Sequence, residues 1–139
     1  MRVSDIINRK GGNVVTLSPD ASISQLVRFL ADHRIGAVVI TDEHGLAGIV
    51  SERDIVRYLK DSGAMGTPVS SIMTTTVTTC HPDDDVRELA TIMTDKRIRH
   101  LPVLDDGSLV AIISIGDVVK ARLDDLEAER DHLERFVHG

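Results

Sequence analysis

Apolar positions along the chain change period in a repeating order. Val14–Leu17 is a short β-rich stretch ending before Pro19. Ser22-x-x-Gln25 has the form of a capping box, followed by Ile23, Leu26, Val27 and Leu30 at helical spacing. A buried strand is predicted at Gly36–Ile40. Turn residues Asp42-Glu43-His44-Gly45 follow, then a second strand at Leu46–Val50 and a helix entered at Ser51. The same series returns: Val77–Cys80, a helix opened by Asp85-x-x-Glu88 with Val86, Leu89, Ile92 and Met93, strands at Leu101–Leu104 and Leu109–Ile113 around Asp105-Asp106-Gly107, and a helix entered at Ser114. The pattern is strand–helix–strand–strand–helix, twice.

The residues repeat as well as the pattern. Pro19-Asp20, Arg34-Ile35 and Ser51-x-x-Asp54 recur 63 positions later as Pro82-Asp83, Arg97-Ile98 and Ser114-x-x-Asp117. Val14–Lys60 and Val77–Leu123 align without a gap and share 14 identities in 47 positions. The lead-in Val3-Ser4-Asp5-Ile6-Ile7 matches Val69-Ser70-Ser71-Ile72-Met73 at an offset of 66, so the first copy carries an insertion within Asn8–Asn13. Two copies are too few for a solenoid, and about 60 residues alone make a marginal core, so the copies are expected to pack on each other. The divisions read as repeat 1 at 1–62, a linker rich in Gly and small residues at 63–68, repeat 2 at 69–122 and a helical extension at 123–139.

In that extension Val119, Leu123, Leu126, Leu133 and Val137 fall at 4-3-7-4 spacing, with Arg130 in the skipped position. This is a three-four apolar seam among charged residues, readable as an amphipathic helix packed back on the body or as a dimer seam.

Composition narrows the function. Aromatic residues are 2% of the 139, with no Trp, and the net charge is −6. Base-stacking platforms and a basic phosphate-binding field are both missing, which argues against a nucleic-acid partner. The single cysteine, Cys80, excludes an internal disulfide and a four-Cys zinc site. The six His show no metal-ligand spacing, and no apolar run is long enough to span a bilayer. The N-terminal residues show no secretory pattern, and a cytoplasmic, non-membrane protein is expected. No His accompanies Ser51 or Ser114 at a recurring position, so catalysis finds little support. Cys80 precedes His81, yet a lone Cys in a β-rich stretch reads as buried and inert.

The motif richest in chemistry is Gly48-Ile49-Val50-Ser51-Glu52-Arg53-Asp54, with its copy Ala111-Ile112-Ile113-Ser114-Ile115-Gly116-Asp117. Ser-x-x-Asp after a strand is a helix cap with an acidic third residue. The same carboxylate can accept two hydrogen bonds from a sugar diol, and the helix-start N–H groups can meet a phosphate. The two roles are compatible.

These segments, together with Ile35–Ile40, Ser71-Ile72-Met73-Thr74 and Arg97–Val103, resemble a tandem pair of cystathionine-β-synthase-type (CBS) domains, the Bateman module. The resemblance covers nearly the whole chain and is nearest to small stand-alone bacterial proteins made of one such pair plus a C-terminal helix. It implies an α/β (α+β) fold of two βαββα repeats packed as a pseudo-two-fold pair. It further implies clefts between the repeats that take AMP, ADP, ATP or NAD, with no catalytic cofactor and no metal. By resemblance the ribose ligands fall on Asp54 and Asp117, with Ser51 and Ser114 nearby, and the adenine walls on the lead-in strands (Ile7, Met73) and buried strands (Ala37, Val38, Leu101, Pro102). Phosphate falls to Arg99 and His100, with Arg53 and Lys120 near the helix starts; Arg122 reads as a solvated face. The first copy departs, with Gly36-Ala37 in place of Arg99-His100, and the second has Ala111 in place of Gly48. The insertion Arg9-Lys10-Gly11-Gly12-Asn13 reads as a simple turn or as a phosphate cradle contributing Lys10; it is not a Walker loop. The resemblance also implies a homodimer and an unidentified effector. The rival reading is a ligand-free dimerisation scaffold with degenerate clefts.

Overall fold

A computed structural model describes residues 1–61 and 63–138. The expected repeat boundary at 62 and the chain end at 139 lie outside the described residues. The elements are α1 (Val3–Lys10), β1 (Thr16–Leu17), α2 (Ile23–His33), β2 (Ala37–Asp42), β3 (Gly45–Ser51), α3 (Glu52–Asp61), a 3-10 turn at Val69–Ser71, α4 (Val86–Lys96), β4 (His100–Asp105), β5 (Ser108–Ser114) and α5 (Ile115–His138). The order of strand, helix, two strands and helix holds in the first copy; in the second the expected strand at Val77–Cys80 is reduced to a single bridge at Cys80, and the fold is mixed α/β.

The chain forms two compact units, and they do not coincide with the sequence repeats. One unit is Val14–Thr78; the other combines Met1–Asn13 with Thr79–Gly139. Each unit therefore takes the body of one repeat and the lead-in of the other.

The backbone of each unit shows how the lead-in docks. In the Val14–Thr78 unit, Val69 N–H donates to the Ala21 carbonyl (2.8 Å) and Ser70 N–H to Pro19 (3.2 Å). Ile23 and Ser24, whose N–H groups open α2 and lack helical partners, donate to Thr67 (2.9 Å) and Met65 (3.0 Å). The predicted linker thus closes a helix start, and Tyr58 bonds it further through the Ala64 carbonyl and the Thr67 hydroxyl, both at 2.7 Å. The other unit repeats the arrangement: Val3 N–H donates to Asp84, Ser4 N–H to Pro82 and Val86 N–H to Met1, at 2.9, 2.9 and 3.0 Å.

The lead-ins were expected as strands; they are helical. Val3 and Ile6, three residues apart, are both buried, and Asp5 accepts from the Arg2 N–H at 2.9 Å, closing the first turn of α1. The second lead-in makes only one 3-10 turn before straightening.

The helix caps follow the sequence. Ser22 and Gln25 form the reciprocal capping box of α2, whereas Asp85 caps α4 through the Arg87 N–H. Both helices end on an arginine in the left-handed region, Arg34 and Arg97. In the Val14–Thr78 unit β2 is central, parallel to β1 and antiparallel to β3. In the other unit β4 and β5 pair antiparallel, and Cys80 bridges to Val103 in the parallel sense, taking the place of β1. The register slips at Ile40/Thr41 and again at the equivalent Val103/Leu104. The β4–β5 turn uses Asp106 and Gly107, both at positive φ, as a tight hairpin requires. Ile23, Leu26, Leu30, Val38, Ile40, Val50, Ile55 and Val69 make the core of the Val14–Thr78 unit. Aliphatic side chains therefore replace the missing aromatics.

Candidate functional site

The recurring Ser-x-x-Asp forms a corner in each unit where the last residue of a strand meets the first turn of a helix. At the first corner Asp54 Oδ2 accepts from the Ser51 N–H (2.9 Å) and the Ser51 hydroxyl (3.1 Å). At the second, Asp117 Oδ2 accepts from the Ser114 N–H (2.9 Å), and the Asp117 N–H donates back to the Ser114 hydroxyl (3.1 Å). Both aspartates are half-buried and engage one named oxygen with the cap, which orients the carboxylate at the helix mouth.

Strand pairing brings further expected residues to the same ends. Ala37 lies opposite Ser51, and His100 opposite Ser114. The Gly36 carbonyl accepts from Glu52 N–H (2.9 Å), and the Arg99 carbonyl from Ile115 N–H (2.8 Å). Arg99-His100 and its counterpart Gly36-Ala37 thus border their corners through the backbone. Arg53 and Lys120 are exposed on α3 and α5.

The exchange of lead-ins collects each residue set in one unit. Met73, Ala37, Val38, Ser51, Asp54 and Arg53 lie in the Val14–Thr78 unit; Ile7, Leu101, Pro102, Ser114, Asp117, Lys10, Lys120, Arg99 and His100 lie in the other. Val38 packs among Ile23, Leu26 and Leu30, and its equivalent Leu101 is fully buried. Those two side chains serve packing, and Ala37 and Pro102 beside them are buried as well.

The two corners differ in what meets the strand carbonyl, Ile49 at one and Ile112 at the other. At the first, the straightened lead-in lies on β3: Ile49 and Thr74 exchange N–H to carbonyl bonds at 3.0 and 2.9 Å. Gly48 permits the approach, because a Cβ there would sit 2.8 Å from both Met73 Sδ and the Thr74 carbonyl oxygen. At the second corner the lead-in stays helical through Lys10, and Ala111 is accommodated. The Ile112 carbonyl, equivalent to that of Ile49, accepts from Lys10 Nζ at 3.0 Å. The same ammonium donates to Asp117 Oδ2 at 2.8 Å.

The segment at Lys10 is therefore not a turn. Arg9 and Lys10 form the last turn of α1, and the loop begins at Gly11. Lys10 lies one turn beyond the buried Ile6, and that spacing was the available signal. Arg9, expected only as part of that turn or cradle, bonds Asp124 at 2.8 Å. Ile6, Arg9, Lys10, Asp117, Lys120 and Ala121 line a cavity of about 130 Å³. Of its three cations, Lys10 is paired with Asp117 and Arg9 with Asp124. Burial works against charge on Asp117, but the Lys10 ammonium and the Ser114 N–H outweigh it and hold the carboxyl below its ordinary value.

Cys80 does not contribute chemistry here. Burial, with the Asp84 charge second, pushes its thiol up to about 12. Among the described residues no His, Cys, Asp and Glu cluster forms a metal site, and no helix is long and apolar enough to cross a membrane.

Comparison with known proteins decides the family. The model of the CBS domain matches twice, at residues 3–61 and 69–124. The chain belongs to the CBS-domain family. The CBS-domain protein ATU1752 from Agrobacterium tumefaciens shares 46% identity and a TM-score of 0.85, over 88% of this chain and 99% of that one. The mitochondrial CBS domain-containing protein CBSX3 of Arabidopsis thaliana is 32% identical over 99% of this chain and 72% of its own. The CBS domain pair of protein MJ0100, solved in complex with 5′-methylthioadenosine and S-adenosyl-L-methionine, shares 29% identity and a TM-score of 0.77, over 90% of this chain and 98% of that one.

Proposed function

We propose that this CBS pair is a regulatory module that binds adenosine-bearing ligands at its two Ser-x-x-Asp corners. The observation that carries the reading is the pair of half-buried aspartates, each presented by its own helix cap at a strand end. A carboxylate so placed is an acceptor for the 2′- and 3′-hydroxyls of a ribose. Ser51 and Ser114 hold it, while the partly exposed Ile7 in one unit and Met73 in the other supply aliphatic surface for adenine. The adenosine ligands of the MJ0100 pair support this ligand class.

The corners are not equivalent in this reading. The Asp117 corner has Lys10 and Lys120 in its cavity, with Arg99 and His100 bordering, and is the one suited to a phosphorylated ligand such as AMP, ADP, ATP or NAD. The Asp54 corner has Arg53 beside it and backbone where the other has Lys10. Ligand binding would favour one arrangement of the module over another, and that bias is the signal to an effector. A dimer of two copies is the working assembly.

Denaturing the purified protein and identifying any released small molecule by mass spectrometry tests the proposal. With one Tyr and no Trp the chain absorbs weakly at 280 nm, so a retained nucleotide dominates the spectrum near 260 nm. Failure of every adenosine compound to bind at millimolar concentration favours instead a scaffold with degenerate sites.

A further inference from the structure

The distal part of α5 presents an apolar seam that the chain itself leaves uncovered. Val118 and Ala121 are buried, but Val119, Leu123, Leu126, Leu133 and Val137 are 50–74% exposed. Leu126, Leu133 and Val137 border an open groove on the helix surface. We propose that this seam pairs with the same seam of a second copy, and that the two helices run antiparallel.

Arg130 decides the direction. It occupies the core position skipped by the apolar series, between Leu126 and Leu133. Within the chain it has only exposed partners, Asp131 at 3.4 Å and Glu134 at 4.0 Å. A parallel pair would stack Arg130 on its own copy in the middle of a short seam. An antiparallel pair centred near Ala128 sets Val119 against Val137, Leu123 against Leu133, and Arg130 against Leu126 of the second copy. There the guanidinium has Glu127 and Glu129 of that copy on either side of Leu126. Flanking positions agree: Lys120 meets Glu134, and Arg122 meets the exposed ring of Phe136. Opposed glutamates, Glu127 with its copy and Glu129 with its copy, are the repulsive element, and the two Arg130 side chains between them offset it. The inference rests on α5 alone; Lys120 is the one residue it shares with the proposed ligand cavity.

Single-cysteine variants L123C and L133C, incubated with oxidised glutathione as the disulfide reagent, distinguish the directions. The native Cys80 is buried, and wild-type protein serves as the control. The antiparallel seam gives a covalent dimer when L123C and L133C are mixed and little from either alone. Dimer from each variant alone shows a parallel seam and overturns the proposal, as does no covalent dimer in any mixture. Sedimentation of Arg130→Glu and Leu133→Asp, both exposed changes that spare the fold, gives a second readout. Each should weaken self-association at least 10-fold; a dimer indifferent to both, or a wild-type monomer, refutes the seam.

Discussion

Replacing Lys10 by methionine removes the ammonium while keeping most of the aliphatic stem, and it separates two roles of one side chain. Lys10 Nζ bonds both Asp117 and the Ile112 carbonyl, with side chains 37% and 23% exposed for the lysine and the aspartate. A partly solvated pair of this kind is worth about 1 kcal/mol at most. Asp117 keeps the Ser114 N–H at 2.9 Å, so K10M leaves no orphaned charge. The expected cost is about 1 kcal/mol, read as a fall in Tm of about 3–5 °C. The pH dependence has a definite sign. Asp117 is held below its ordinary 3.8, so its contribution is complete above that value and is lost as pH falls through the lowered folded value. The gap between wild type and K10M is therefore full at neutral pH and closes in acid. Ligand binding gives the sharper readout. A hydrogen bond from an ammonium to a phosphate contributes about 1.5–3 kcal/mol, so AMP affinity falls about 10–100-fold in K10M. Adenosine, which competes with Lys10 for the Asp117 carboxylate, holds its affinity or gains. Equal losses for AMP and adenosine would refute the reasoning, because Lys10 would then only position Asp117. A gap that does not narrow at all as the pH is taken progressively below the ordinary carboxylate range would refute the electrostatic part.

Three further outcomes follow from particular contacts. Gly48→Ala forces a methyl into the Met73–Thr74 contact and destabilises by about 1–3 kcal/mol in urea denaturation, whereas Ala111→Gly at the equivalent position costs only about 0.5–1 kcal/mol. Asp54→Asn and Asp117→Asn keep an oxygen for the cap N–H and so retain the fold by circular dichroism, while each lowers affinity for ribose-bearing ligands at its own corner about 10-fold or more. Cys80 reacts with a thiol reagent at pH 8 only at the rate of unfolding, since the folded thiol is buried and titrates near 12.

Local signals made most of the fold legible. The alternation of periods 2 and 3.6, the Ser22–Gln25 box and the Asp-Gly turn each act within a few residues, and all form as expected. The resemblance implies strands at the lead-ins, and five residues with three apolar positions do not distinguish strand from helix. Burial of Val3 and Ile6 on one side of α1 settles it. The change of offset from 63 to 66 signalled an insertion. Which lead-in docks on which body, however, depends on the carbonyls of Met1 and Thr67 reaching the starts of α4 and α2. The Lys10–Asp117 contact spans 107 residues and follows from that exchange, so no local pattern announced it. The two aspartates were legible as caps because Ser-x-x-Asp after a strand is a local pattern, and it forms at both corners.

Calorimetric titration of nucleotide-free protein with AMP tests the central claim most directly, run on wild type and on the Asp54→Asn, Asp117→Asn double variant. Saturable binding in the micromolar to sub-millimolar range, abolished in the folded double variant, is the predicted result. No heat from wild type at millimolar AMP or adenosine, or unchanged binding in the double variant, would contradict it.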